Sequence, residues 1–138
     1  MKFAGRGLAP GKGEGPVASI APLSFWGGFD PETGLITDRH HAAHGRSLAG
    51  TIVVMTTGRG SSSSSTVLAE AIRTGTAPAA IVLVEPDPIL VVGAMVAEAL
   101  YRRRCPIVVL SHADHALVAA ATTAEVIAEA GTTSVAIP

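Results

Sequence analysis

Three short runs, residues 51–55, 79–84 and 106–110, are apolar at nearly every position and rich in valine and isoleucine. A strand with one face in water alternates polar and apolar residues, whereas a continuous apolar run must be covered on both sides. Between the first two runs, Val67, Leu68, Ala71 and Ile72 recur at intervals of one, three and four, which is the spacing of one helix face. Gly75 stops that helix. Residues 89–104 form a second helical segment ending in Arg102, Arg103 and Arg104, a charge suited to a helix carboxyl terminus. Strand, helix, strand, helix and strand over 60 residues predict a parallel βαβαβ layer, and so an α/β fold.

The rest of the chain is read around that layer. With 138 residues the length suits one domain, and 48% apolar against 15% charged residues excludes disorder for most of it. Aromatics are only 4%, so the core is built from Ala, Val, Ile and Leu. Five glycines and two prolines between Gly5 and Pro16 predict a loop, and residues 1–16 are read as a flexible N-terminal arm ahead of a single domain over 17–138. Residues 17–26 supply a first strand, 27–34 a turn opened by Asp30-Pro31 and closed by Gly34, and Leu35 and Ile36 the start of a second strand. Residues 38–47 are a polar loop. For the tail after Asp114, Glu125 and Glu129 at i,i+4 favour a helix, while the Gly131-Thr-Thr break favours a hairpin, which is preferred.

Composition also narrows function. Ten Lys and Arg against eleven Asp and Glu, with one short basic run and no aromatic platform, argue against nucleic acid. So little polar cover on a small domain predicts that part of its surface lies against another protein. No run approaches the length needed to span a bilayer and the start carries no secretion signal, so no membrane partner and a cytoplasmic location are expected. Cys105 stands alone. It forms no intrachain disulfide, cannot by itself hold a zinc or an iron–sulfur cluster, and reads as a core thiol.

The chemistry is expected at Gly58-Arg59-Gly60, followed by five serines, Ser61 to Ser65. A small turn between a buried strand and a helix leaves unpaired N–H groups at the helix start, where the dipole adds positive charge. That makes an anion site for phosphate or carboxylate, with hydroxyls that either cap the helix or face a ligand. No Lys follows the last glycine as in a Walker loop, the third glycine of G-x-G-x-x-G is missing, and so is G-x-S-x-G. Arg59 either points at an anion or is solvated. His40, His41 and His44 carry helical metal-ligand spacing, but their loop-like setting favours solvent-facing side chains. Asp30 reads as a turn residue; His112, Asp114 and His115 read as a strand-end loop without chemistry.

Ser24-Phe-Trp-Gly-Gly-Phe-Asp-Pro-Glu-Thr-Gly34, His41-Ala-Ala-His-Gly45, Gly58-Arg-Gly-Ser-Ser62, Ala77-Pro78-Ala-Ala-Ile81 and Gly93-Ala94, in this order, resemble the small subunit of aconitase X. The resemblance implies a swivelling β/β/α domain as in aconitase and isopropylmalate isomerase small subunits. It implies a hydro-lyase of two subunits in which an iron–sulfur cluster belongs to the large subunit and no metal to this chain. It makes Ser61 the base, with Gly60, Ser62 and Ser63 placed to receive the substrate carboxylate unless the large subunit binds it, since aconitase has an arginine where Ser63 stands; Arg59 is added as a candidate substrate contact from its place between two glycines. The expected reaction is dehydration of cis-3-hydroxy-L-proline to 1-pyrroline-2-carboxylate. The alternatives are the small subunit of a mevalonate 5-phosphate dehydratase and, in another class, a non-catalytic anion-binding or regulatory module.

Overall fold

The structure, a computed structural model, describes residues 1–138. Its elements are β1 (Lys2–Ala4), β2 (Arg6–Ala9), β3 (Gly11–Ser19), a single turn α1 (Phe25–Gly28), β4 (Ile52–Val54), α2 (Ser64–Thr74), β5 (Ala80–Leu83), α3 (Pro88–Tyr101), β6 (Ile107–Val109), α4 (His112–Ala119), β7 (Thr123–Glu129) and β8 (Thr132–Ala136). The eight strands form one sheet in the order β1-β8-β7-β3-β4-β5-β6-β2. Strands β1 and β2 stand at opposite ends of that order, yet only Gly5 separates them in the chain. The sheet must therefore curl until its two edges nearly meet, which gives a near-closed barrel with helices outside.

The parallel layer predicted from the apolar runs is present. β3 runs parallel to β4 through Val17 to Ser19, β4 to β5 with Val53 opposite Ile81, and β5 to β6 with Ile81 opposite Ile107. Alternation in these strands divides two cores. Ile52, Val54, Ala80, Val82 and Val108 face into the barrel, where they meet Val126, Val135 and Val118 of α4. Val53, Ile81, Leu83 and Ile107 face the other way, beneath Leu68, Ala71 and Ile72 of α2 and Leu90, Ala94 and Ala97 of α3. Burial on both faces explains why the runs are apolar apart from Thr51, whose hydroxyl donates to the Leu48 carbonyl at 2.8 Å. The two helices cross closely at Gly93, where a Cβ would come within 2.6 Å of the Ser65 carbonyl oxygen.

Residues 5–16, read as part of a flexible arm, are instead strand for most of their length. β3 begins at Gly11 and pairs antiparallel with β7 from Gly11 opposite Ala128 to Pro16 opposite Thr123. The reason is steric. A Cβ on Gly13 would overlap the Ala79 carbonyl oxygen, and one on Gly15 the Gly50 carbonyl oxygen, while Lys12 and Glu14 between them point to solvent. The stretch alternates as a strand does, with glycine in the place of an apolar residue because another backbone passes there.

Other expectations shift as well. The first strand ends at Ser19 rather than continuing to 26, and Leu35 and Ile36 make only isolated bridges, to Ser47 and Phe29. The tail does hold the hairpin, β7 paired with β8, but His112, Asp114 and His115, read as a strand-end loop, lie in α4, capped by the Ser111 hydroxyl accepting from the Asp114 N–H. The second long helix stops at Tyr101, where Arg102 turns left-handed at φ 55°. The arginines thus lie beyond α3, and Arg103 donates to the Arg73 carbonyl at the end of α2, the neighbouring helix, 3.0 Å away.

Gly13→Ala is expected to lower unfolding free energy by about 1–3 kcal/mol through overpacking against Ala79. Gly60→Ala, where a Cβ meets nothing within 4 Å, is expected to stay within about 0.5 kcal/mol. Urea unfolding of the two variants beside the wild type measures the difference.

Candidate active site at the mouth of a helix

The serine-rich turn leaves the carboxyl end of β4, the edge of a parallel layer where α/β sheets collect ligands. Its start is fixed on two sides. The Thr56 carbonyl accepts the N–H groups of Val84 at 2.9 Å and Glu85 at 3.0 Å, just past β5, and the Met55 carbonyl is hydrogen-bonded by His115 Nε2 at 3.0 Å. Gly58 then passes so close to Asp87 that any Cβ would overlap the carboxylate. Asp87 is placed there because its other oxygen, Oδ1, caps α3, accepting from Ile89 N–H at 3.0 Å and Leu90 N–H at 3.3 Å. The Arg59 N–H donates to the Leu23 carbonyl at 3.1 Å.

The five serines have different tasks. Ser61 sits half-buried in a turn whose carbonyl accepts the Ser64 N–H at 3.0 Å and whose Oγ accepts the Ser63 N–H at 3.3 Å. Ser64 is buried, and its Oγ accepts the Trp26 N–H at 3.0 Å, fastening α1 to the first turn of α2. Ser65 Oγ donates back to the Ser62 carbonyl at 2.8 Å. The cap position of α2 falls on Ser63, whose hydroxyl makes no capping bond. No acidic side chain occupies the first turn of α2, so the positive end of that helix is left uncompensated. The N–H groups of Ser64, Ser65 and Thr66 donate to the carbonyls of Ser61, Ser62 and Ser63, while the Ser63 N–H donates to the Ser61 oxygen, which therefore sits at the positive end of the helix dipole.

Arg59 and Gly60 are exposed, as is Ser62, while Ser61 and Ser63 are half-buried, so all five sequence-predicted site residues border one open edge of the chain. Alone among the fifteen glycines, Gly60 has neither a left-handed φ nor any neighbour within 4 Å of a Cβ. Nothing inside this chain demands a glycine there. The hollow of about 520 Å³ between β2 and the β7–β8 hairpin, lined by Gly7 and Thr133 among others, includes none of these residues.

The histidines separate. His40 and His44 are exposed, but His41, expected to face solvent, is buried. Its Nδ1 accepts the Ala43 N–H at 3.0 Å, so Nε2 carries the proton and donates to the Ala21 carbonyl at 2.9 Å. Both ring nitrogens are thus spent on backbone. No three His, Cys, Asp or Glu side chains converge as a metal site. The Cys105 thiol donates to the Pro78 carbonyl at 3.5 Å, and burial pushes its pKa up to about 12. It remains a neutral thiol where a cluster needs thiolates. The donors of this chain do not fit an iron–sulfur cluster.

Sequence reasoning missed Asp87, Ser64, Trp26 and His115 as supports of the turn. Asp87-Pro88 was legible as a cap followed by a first-turn proline. Ser64 could not be told from its four neighbours, and His115 is connected to Met55 only through the fold.

Comparison with known proteins agrees with the fold. A family model described as the aconitase X swivel domain matches residues 2–135. The chain belongs to that family. It is 50% identical over 107 residues to a cis-3-hydroxy-L-proline dehydratase of Pseudomonas aeruginosa, covering 76% of this chain but 18% of the relative. It is 44% identical over 93 residues to the phosphomevalonate dehydratase small subunit of Methanothermobacter thermautotrophicus, covering 67% of this chain and 71% of that one. The crystal structure of holo-form aconitase X from Thermococcus kodakaraensis superposes with a TM-score of 0.82 at 34% identity, covering 100% of this chain and 98% of that one. The chain thus spans about a fifth of the length of the hydroxyproline dehydratases it matches. No helix is long and apolar enough to cross a membrane.

Two measurements check the local account. Ser64→Ala leaves the Trp26 N–H without its acceptor and is expected to lower stability by about 1–3 kcal/mol, read from urea unfolding. The folded chain is expected to resist thiol reagents at pH 8 and to release one thiol on denaturation. Because the folded thiol holds its proton more tightly than the unfolded one, stability is level below about pH 8 and falls as pH rises from about 9 toward 12.

Proposed function

We propose that this chain is the small subunit of an aconitase X type dehydratase and that Ser61 is its general base. The reading rests on one observation: the Ser61 oxygen accepts the Ser63 N–H at the mouth of α2, whose first turn holds no acid to compensate it. A serine hydroxyl is far too weak a base at neutral pH. The Ser63 N–H and the helix dipole lower the free energy of its alkoxide, and exclusion of water strengthens the effect. Ser61 takes the proton from Cα of the substrate, the carbon bearing the carboxylate. Gly60, Ser62 and Ser63 receive that carboxylate, with Arg59 as a further cation at the open edge.

Departure of the 3-hydroxyl needs an acid. The reading assigns that task to a large subunit, which by family resemblance holds the iron–sulfur cluster. The preferred substrate is cis-3-hydroxy-L-proline, whose dehydration leaves an enamine that tautomerises to 1-pyrroline-2-carboxylate. Support comes from the 50% identity to the Pseudomonas dehydratase. A second reading, dehydration of mevalonate 5-phosphate, is favoured by a different observation: the phosphomevalonate relatives are small subunits of which this chain covers 71–75% in Methanothermobacter and Pyrococcus abyssi.

Co-expression with the cognate large subunit and assay on both substrates tests the choice, and turnover of hydroxyproline is expected. Ser61→Ala in that complex is expected to lower turnover by several orders of magnitude while circular dichroism and thermal midpoint stay near the wild type. Activity surviving within about tenfold, roughly 1.4 kcal/mol of barrier, would remove Ser61 from the role of base.

A further inference from the structure

The chain's single tryptophan is 59% exposed beside the Ser61 turn. Indoles are large and apolar, and most find cover. The residues around Trp26 do. Phe25 is fully buried, its ring stacked on Phe29 with centroids 4.9 Å apart, and Gly28 is buried on the other side. The local conformation (Trp26 at φ −74°, ψ 114°, then Gly27 at φ 77°) turns the flanking residues inward and the indole outward.

That presentation is fixed from both ends of the residue. The Trp26 N–H donates to buried Ser64 at 3.0 Å, and its carbonyl accepts the Ser24 hydroxyl at 3.1 Å. Ser64 in turn donates its N–H to the Ser61 carbonyl, and three residues before Trp26 the Leu23 carbonyl takes the Arg59 N–H. The backbone of Trp26 and the serine-rich turn are therefore tied into one face. A residue whose backbone is fixed before binding loses less entropy when it is covered.

We infer that Trp26 is the anchor by which this face docks on the large subunit, an inference that rests on the subunit reading above. The occupant is a polypeptide for two reasons. In the subunit reading the acid comes from the large subunit, so that subunit closes over the face that carries Ser61. A substrate the size of an amino acid that also reaches Ser61 covers only part of an indole of about 150–250 Å². In the Pseudomonas relative the matching segment is 18% of a longer chain, so a much larger body is available there to cover it. Tryptophans centred in such contacts carry a disproportionate share of binding, and the exposed Arg59 and the glycine at 60 lie beside it, where close approach meets no side chain.

The chain is labelled with 5-fluorotryptophan and titrated with unlabelled cognate large subunit. Because Trp26 is the sole tryptophan, the single fluorine resonance is expected to shift and to lose its response to solvent isotope as the complex forms. Trp26→Ala is expected to raise the dissociation constant of the two subunits at least tenfold with unchanged circular dichroism, and Trp26→Phe to restore most of it. An unshifted resonance in the assembled complex, or a Trp26→Ala chain that binds as tightly as wild type, overturns the proposal. So does a rise in substrate KM with association unchanged, which would make the indole a substrate contact. Failure of the subunit reading shows differently: the wild-type chain itself then forms no complex, or forms one without dehydratase activity.

Discussion

The whole molecule depends on β3 pairing with two different partners. Its first six residues lie antiparallel to β7, and its last three lie parallel to β4. One continuous backbone thereby joins a hairpin sheet to a crossover layer, and the single residue between β1 and β2 draws the far edges together. Both arrangements require close backbone approach. Glycines at 13 and 15 allow it, since a Cβ at either position would overlap a carbonyl oxygen. A barrel closed in this way encloses one core of small aliphatic residues and leaves the opposite face of β4, β5 and β6 for α2 and α3.

That division places the candidate site. β4 is sealed on both sides, so its polar backbone ends at one edge, and the chain must turn there before α2 can pack back on the sheet. The turn is held by the N–H groups just after β5, by His115 of α4 and by the carbonyl of Leu23, and it passes against the Asp87 carboxylate that caps α3. Hydroxyls on a floating linker adopt many positions. Here Ser64 and Ser65 are used internally as fasteners, which leaves Ser61 beside the helix N–H groups and Ser62 at the open edge. Rigidity of this kind is what makes a weakly acidic hydroxyl useful, because the dipoles that stabilise its charge are already aligned.

Two candidate ligand groups are spent inside the fold. The single thiol is sealed under Pro78 and remains protonated. Both ring nitrogens of His41 serve backbone groups. The features left open are a hydroxyl, a helix mouth, an arginine and one indole, which together suit a face that meets a partner better than a pocket that works alone.

Local pattern was sufficient wherever the physics is local. Three almost wholly apolar runs read as doubly covered strands, and the spacing of Val67 to Ile72 read as a helix ended by Gly75, because each signal lies within a few residues of its effect. The N-terminal strands, α4 and the buried role of His41 were decided by tertiary structure. Glycine is the common turn residue until another backbone is seen to occupy the space where its side chain would be. Which serine of five faces outward depends on Trp26, 38 residues away, and no periodicity encodes that distance. Sequence determined which segments must be buried and where charge would be welcome; only the folded chain decided which hydroxyl stands there, because that depends on contacts between residues far apart along the backbone.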